Sequence, residues 1–575
     1  MNNDKILEIL NNLAILLEIK GENPFKANAY SNAAKLIEVK KIDVKKEIED
    51  RTLGEIKGFG KALVSKLTEL VNTGKLEYYE KLTQEIPITL IELTKISGLG
   101  PKKVSQLWKQ LNITTIDELE KACQNGELKK LKGFSEKTEE LILNGIEHKK
   151  ASKGRFIQQA VKKQAEEIWN LLTLINGIDK VSNSGDVRRF TETIQELYFV
   201  ISYYKLDNLI DNCKSTLKDI CFEFTILNDT KNPIIKAKTN LNVPITFHFV
   251  PTTEYPIVLH QTTGNKDYLN AFNHYLNKFN FRINNNHLTQ KNQIIQIKSE
   301  KELYDIVGLQ YVEPELRESS RPIEYAINKK LPRLIEINDL KGMIHVHSNW
   351  SDGKNSIREM ALKSKELGFE YMVLCDHSRS AAYANGLNEE RVLSQHKEID
   401  KLNNENLGIT IIKGIESDIL NDGSLDYSDN FLQNFEIVIA SIHSGFKMSK
   451  SEMTKRIIKA LKNPYTTMLG HPTGRLLTVR PEYEIDIKQI IDCAVDYGKI
   501  IEINSNPYRL DISWEHLIYA KEKGMKTSIN PDSHKTSTLT DIFIGVNVAR
   551  KAWYEPKDVA NTYSYLEFLK NFVKK

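Results

Sequence analysis

From residue 343 onward the chain alternates short apolar runs with amphipathic stretches in a rhythm that few folds accommodate. The runs fall at 343–346, 371–375, 410–415, 437–442, 467–470, 499–503 and 526–529. Each is the length of a buried parallel strand, and the intervals leave room for crossover helices. Seven βα units in succession predict a parallel barrel one unit short of eight, with the C-terminal strand ends gathered around one mouth. Those ends carry His345 and His347, Asp376 and His377, Glu416, His443, His471, and Asp532 with His534. Of the 13 histidines, eight lie between 345 and 534, and only His396 and His516 sit on helical segments instead of strand ends. A single histidine is usually a core or surface residue, but this distribution is not scatter. His345-Val346-His347 spaces two imidazoles by two residues, so a pleated strand turns both to one face, as a chelating pair requires. Asp352, in Ser351-Asp352-Gly353, can bend back over the same mouth. A carboxylate such as Glu416 can bridge two cations, and mixed imidazole and carboxylate donors favour Mn2+, Zn2+ or Fe2+ over Mg2+.

The first 150 residues follow another pattern, short amphipathic helices between glycine turns, with no strand. Ile56-Lys57-Gly58-Phe59-Gly60-Lys61 and Ile96-Ser97-Gly98-Leu99-Gly100-Pro101-Lys102-Lys103 repeat each other, and Leu131-Lys132-Gly133-Phe134-Ser135-Glu136-Lys137 is a fainter third copy. Glycines at such turns let backbone N–H groups approach an anion at a helix N-terminus. Between about 155 and 300, helices mix with strand-like runs at 234–238 and 245–250, an α+β pattern, and Pro314, Pro322 and Pro332 punctuate 312–336 like a linker. The expected organisation is therefore 1–85 and 86–153 all-α, 154–311 α+β, 312–336 linker and 337–575 barrel, within the three or four domains that 575 residues imply. A net charge of only +4 leaves any nucleic-acid affinity to local sites. The five cysteines have no CxxC spacing, which argues against a zinc ribbon or disulfide framework and fits a reducing cytoplasm. No apolar run is long enough for a membrane span, and no export signal is evident.

His345-Val346-His347-Ser348 with Ser351-Asp352-Gly353, then Asp376-His377-Ser378, Gly414 to Glu416, Ser441 to Ser444, Gly470-His471-Pro472 and Asp532-Ser533-His534, resembles the PHP phosphoesterase family. The resemblance implies a (βα)7-type barrel with a trinuclear metal centre that binds a phosphate ester and hydrolyses it. It fills all nine ligand positions, with His345, His347, Asp352, His377, Glu416, His443, His471, Asp532 and His534. Arg475 follows Gly470-His471-Pro472-Thr473 and is either a further phosphate contact or a surface arginine.

The two glycine repeats resemble helix-hairpin-helix motifs. They imply sequence-independent grip on a DNA backbone through Gly58, Gly60 and Lys61 and through Gly98, Gly100, Lys102 and Lys103. Asn23-Pro24-Phe25-Lys26-Ala27-Asn28-Ala29-Tyr30, with residues 58–76, is similar to the N-terminal domain of family X DNA polymerases. Some members carry there a Schiff-base lysine that attacks abasic sugars, and Lys66 takes its place. Gly185 to Ile194, Thr263-Gly264-Asn265-Lys266 and Val312 to Glu318 continue the resemblance through a palm and thumb, so that it covers essentially the whole chain as a bacterial family X DNA polymerase.

The pattern breaks where polymerase chemistry belongs. The D-x-D pair of the family reads Glu196 and Tyr198, the third aspartate is Thr246, the phosphate-contacting serine is Asp186, and the aromatic pair before Thr263 is Gln261-Thr262. Asp186 is expected to repel a triphosphate. The expectation is a metal-dependent 3′-5′ exonuclease acting on gapped, nicked or 3′-ended DNA in repair, on a polymerase scaffold whose own site is inactive. An active gap-filling polymerase with such an exonuclease, a non-catalytic DNA-end-binding scaffold and a small-molecule phosphatase are the alternatives. Protein partners are not readable from the sequence.

Overall fold

The computed structural model describes residues 3–40, 42–96, 98–228 and 231–573. Ser97, within the second glycine repeat, lies outside them. The chain divides into two compact units, 1–153 and 154–575.

The first unit is helical. Its elements include Asn3–Lys20, Pro24–Lys40, Lys61–Thr73, Pro101–Leu111, Ile116–Gln124 and Glu136–Ser152. Local chemistry sets several of the ends. Gly74 closes one helix in the left-handed region at φ +74°, and Thr115 with Glu118 forms a reciprocal capping box at the start of another. The expected division at residue 85 does not divide the core. Leu10, Leu13, Leu17, Leu67 and Leu70 share one apolar cluster with Val104, Leu107, Leu119, Ile142 and Ile146. Ser105 also donates from Oγ to the Ile19 carbonyl at 2.6 Å.

The second unit begins with a five-stranded sheet in the order Ile178–Ser184, Leu197–Tyr203, Pro244–Pro251, Ile234–Thr239, Cys221–Asn228. Only the pairing of Leu197–Tyr203 with Pro244–Pro251 is parallel. A thumb follows, with helices Tyr255–Thr263 and Lys266–Asn277 and a small antiparallel sheet.

Residues 312–336 are not a linker. Pro314 opens the 3-10 turn Pro314–Leu316, and Pro322 stands in the first turn of the helix Arg321–Ile327, where a missing N–H costs nothing. These two prolines therefore start helices. Val312, Leu316, Ile323, Ala326 and Leu334 join the thumb core beside Tyr268, Phe272 and Tyr304. Arg317, fully buried, pairs with Glu300 and donates to the Val312 carbonyl from Nη2 at 2.8 Å. Removing Glu300 would strand the buried Arg317 charge, whereas Glu300 keeps a second partner in Arg188 at 2.7 Å.

The seven expected runs all form strands, Gly342–Val346, Tyr371–Leu374, Thr410–Asp418, Ile437–Ser441, Met468–Leu469, Ile500–Asn504 and Thr527–Asn530, in one parallel sheet in chain order. The ring closes where the His347 amide donates to the Ser533 carbonyl at 2.9 Å. Tyr371, Val373, Ile412, Ile439, Met468 and Ile500 pack together inside with Phe568 of the last helix, Tyr565–Phe572. The alternate residues Met372, Leu374, Ile411, Val438, Leu469 and Ile501 pack outward against the helices.

The first strand breaks this alternation. Ile344 joins the inner cluster and Val346 the outer one, the register with the second strand shifts between Met343 and Val346, and His345 has φ +65°. An extra residue has been accommodated as a bulge, and it brings His345 to the inside as well as Ile344. Simple pleating, as expected from the spacing, would have turned Ile344 and His345 to opposite faces.

Candidate metal centre

Three overlapping groups of donor atoms, each lying within 4.8 Å of one another, fill the barrel mouth. They are His347, Asp352, His377 and His534; His345, His347 and Asp532; and His377, Glu416 and His443. The ninth expected residue, His471, joins them with Nε2 3.0 Å from Glu416 Oε1. Glu416 is the hub. Its carboxylate lies 3.4 Å from His345, 3.7 Å from His347, 2.9 Å from His377 and 3.3 Å from His443. Asp532 Oδ1 lies 3.3 Å from His347 Nε2 and 3.7 Å from His345 Nε2. Asp352 reaches the mouth from its loop, 3.3 Å from His534 Nε2. The loop folds that tightly because residue 353 is glycine, since a Cβ there would lie 2.6 Å from the Ser348 carbonyl.

The donor set fits cations. Among the described residues, His345 Nε2, both ring nitrogens of His347, His377 Nδ1, Glu416 Oε2 and His471 Nδ1 are buried without a hydrogen-bond partner. A buried polar atom left unpaired costs about 1–3 kcal/mol, so six such atoms gathered in one place form a cluster that could hold cations. The backbone is strained at the same place. His345, His471 and Asp532 have φ of +65°, +22° and +50°, a region that residues with a Cβ seldom occupy.

The electrostatics reflect how closely carboxylates and imidazoles crowd at the mouth. Burial works against charge on Glu416 and Asp532, but the surrounding histidines hold both carboxyls well below the usual range. Burial also opposes charge on His443 and His534, yet Glu416 and Asp418 lift the first to about 10, and Asp352 and Asp532 lift the second to about 9. His347 behaves oppositely. Burial, with His534 and His377 beside it, lowers it to about 3, so it is neutral with its lone pair free.

Three further carboxylates hold this arrangement, Glu502 and Asp418, which the sequence did not single out, and Asp376, which it placed among the strand-end donors. Glu502 Oε1 lies 2.6 Å from His345 Nδ1, so that ring donates there and turns Nε2 into the mouth. Its other oxygen accepts the His471 amide at 2.7 Å. Asp418 does the same for His443, at 2.5 Å from Nδ1. Asp376 points away from the mouth and braces the 348–353 loop, accepting from the Ser348 amide at 2.8 Å and from Gln395 at 2.6 Å. Glu502 and Asp418 were legible in principle. Each lies two residues from another inward polar side chain on its strand, Asn504 and Glu416 respectively.

Arg475 is neither a phosphate contact nor a surface residue. It is buried, ion-paired with Glu192 of the α+β region at 2.6 Å, and donates to the Arg509 carbonyl at 3.0 Å. Its charge is spent on joining the loop after His471 to the polymerase-like region.

In that region Glu196, Tyr198 and Thr246 do converge. Tyr198 and Thr246 are register partners on adjacent strands, and both hydroxyls donate to the Glu196 carboxylate, Tyr198 at 2.8 Å. Burial and the Glu196 carboxylate push the Tyr198 phenol up to about 12, so it stays neutral. Asp186 differs from expectation. Arg189 pairs with it at 2.6 Å, so its charge is compensated and repulsion of a triphosphate does not follow from it.

In the first unit Gly58, Gly98 and Gly133 share left-handed φ of +114°, +86° and +88°. Gly60 and Gly100 then cap the helices that open with Lys61 and Pro101, and no side chain satisfies those N-termini among the described residues. The third copy differs, because the Ser135 hydroxyl accepts the Thr138 amide and Glu136 stands in the first turn. Lys61 and Lys102 are exposed, whereas Lys103 folds back to the Gly98 carbonyl at 3.1 Å and over the Phe134 ring. Lys66 is half-buried, donating to the Tyr30 hydroxyl at 2.8 Å with its ammonium 4.5 Å above the Tyr78 ring.

Four family models match the chain. They are a helix-hairpin-helix domain at residues 1–76, a SAM-like helix-hairpin-helix tandem at 90–147, the DNA polymerase beta thumb at 258–318 and the PHP domain at 344–506. Part of the chain is similar to bacterial probable phosphatases. One from Caldanaerobacter subterraneus subsp. tengcongensis is 35% identical across 22% of this chain and 52% of its own length. Another, from Thermoanaerobacter sp. strain X514, is 30% identical across 36% of this chain and 84% of its own. The DNA polymerase/3′-5′ exonuclease PolX of Bacillus subtilis strain 168 is 36% identical over the full length of both chains. Identity sustained from the hairpins through the palm to the last strand of the barrel makes this chain a member of the PolX family, the bacterial family X DNA polymerases that end in a PHP domain.

Proposed function

We propose that the barrel is a metal-dependent 3′-5′ exonuclease of the bacterial cytoplasm, which trims gapped, nicked or 3′-ended DNA in repair, while the polymerase palm is inactive. The observation that carries this reading is the ring of histidines around Glu416, namely His345, His347, His377, His443 and His471, with buried, unpartnered donor atoms among them. Mn2+, Zn2+ or Fe2+ suit this imidazole-rich set better than Mg2+, and the overlapping donor groups have room for about three cations. Bound cations supply Lewis acidity, drawing charge from the phosphoryl oxygens and making water nucleophilic at neutral pH. The chain's own part is orientation. Glu502 and Asp418 fix the tautomers of His345 and His443, and the strained backbones at His345, His471 and Asp532 pre-pay the positioning.

DNA as substrate is supported by the hairpins, whose uncapped helix N-termini and exposed Lys61 and Lys102 suit backbone phosphates without reading bases. The phosphatase-like relatives keep a phosphomonoester in play for the barrel, but they match 22% and 36% of this chain. The experiment is removal of metal. Exhaustive chelation should abolish release of nucleotides from a 3′ end, and Mn2+, Zn2+ or Fe2+ should restore it with bound metal rising in parallel. Full activity in metal-free protein would refute the reading.

Lys66 is proposed as an abasic-site lyase nucleophile, since Tyr30 and Tyr78 hold its ammonium in place beside the first hairpin. Borohydride should trap a protein–DNA adduct at an incised abasic site, and Lys66→Ala should lose it. No adduct with the wild-type chain would end the idea.

A further inference from the structure

We propose that Tyr383 is a stacking platform for the base of the 3′-terminal nucleotide, and so selects single-stranded 3′ ends over simple phosphate esters. The proposal rests on the reading of the barrel as a 3′-end hydrolase and names how that site takes hold of its substrate.

Tyr383 lies on the 3-10 turn Ala382–Ala384, at the rim of the mouth. Its ring is 71% exposed, yet its centroid is 6.0 Å from that of His377 and 6.3 Å from that of His443, two of the residues that would hold cations. Other aromatics are as exposed, Tyr204 at 72% among them, but that one follows the palm strand Leu197–Tyr203 and not a barrel strand. A phosphodiester drawn between His377 and His443 would carry its sugar and base outward past the Tyr383 ring.

The turn is rigid although the ring is free. Ala381 and Ala384 on either side are buried, and Ser378 bridges to Leu387. Asn385 donates to the Trp350 carbonyl at 3.1 Å, and Arg391 donates to the Asn385 carbonyl at 2.8 Å. Gly386 packs so closely that a Cβ would fall 1.9 Å from the Ser378 carbonyl oxygen. Asp418, which orients His443, also accepts from the Ser380 hydroxyl at 2.8 Å, so one carboxylate sets both a donor ring and the base of the turn. A ring held this firmly in water loses little entropy when a base covers it, and every base has a face to offer.

The test pairs two removals, of the ring by Tyr383→Ala and of the base by a short single-stranded oligonucleotide ending in a tetrahydrofuran residue. Tyr383→Ala should raise KM for the ordinary oligonucleotide about 10–100-fold with kcat little changed, as expected for one base stack. It should not affect the furan-ended oligonucleotide, and Tyr383→Phe should restore the wild-type KM. The proposal is overturned if Tyr383→Ala leaves KM unmoved, if both substrates suffer alike, or if Phe behaves as Ala. Hydrolysis of neither oligonucleotide by the wild-type chain would instead bring down the 3′-end reading on which the proposal stands.

Discussion

His345→Ala and Asp532→Ala should each lower 3′-end hydrolysis by several orders of magnitude, with bound metal reduced and the fold retained. Asp532 faces both His345 and His347, and His345 faces both Glu416 and Asp532, so each substitution removes a donor from a crowded centre. The loss should exceed that of Glu502→Gln, which spares every donor atom facing the mouth and weakens only the hold on His345 and on the His471 backbone. Supporting carboxylates of that kind are worth about 10–100-fold in affinity or rate. A graded series, with the supporting residue milder than the donors, separates a metal centre from a mere packing defect. Wild-type activity in His345→Ala with its metal unchanged would refute the assignment.

Templated nucleotide addition should be absent or very weak, measured by primer extension on gapped DNA with Mg2+ or Mn2+ in the His345→Ala chain, where degradation cannot hide synthesis. Phosphoryl transfer to a primer requires two cations, one at the 3′ hydroxyl and one on the triphosphate, held by carboxylates against a highly charged substrate. Of the three converging positions only Glu196 carries a carboxylate, and the hydroxyls of Tyr198 and Thr246 already occupy it. A cation there would have to displace both, and the nearby Asp186 carboxylate is already paired with Arg189. The charge of Asp186 adds nothing to this argument, because Arg189 neutralises it. Efficient incorporation would mean that some other group supplies the missing charge, and would favour a gap-filling polymerase instead.

What was legible in the sequence was local. Strand positions in the barrel follow from short apolar runs, and donor residues at their ends stand out because each is a chemical type that parallel strands rarely place there. The hairpins were legible for the same reason, since glycine at a φ near +90° is a constraint within a few residues. Features made by distant parts of the chain were not. The bulge at His345 comes from fitting a strand into a closed barrel. The pairing of Arg475 with Glu192 joins positions 283 residues apart, and nothing near either residue announces it. The prolines of 312–336 read as punctuation, yet two of them open helices whose apolar residues pack in the thumb core. Glu502 was passed over because its strand ends in no histidine, although its partners are His345 and the His471 amide.

The most direct measurement follows the length of a 5′-end-labelled primer on gapped DNA with the wild-type chain and Mn2+, with and without deoxynucleoside triphosphates. Stepwise shortening from the 3′ end at the same rate in both is the predicted result. Lengthening when triphosphates are present, or a primer that never changes, would contradict it.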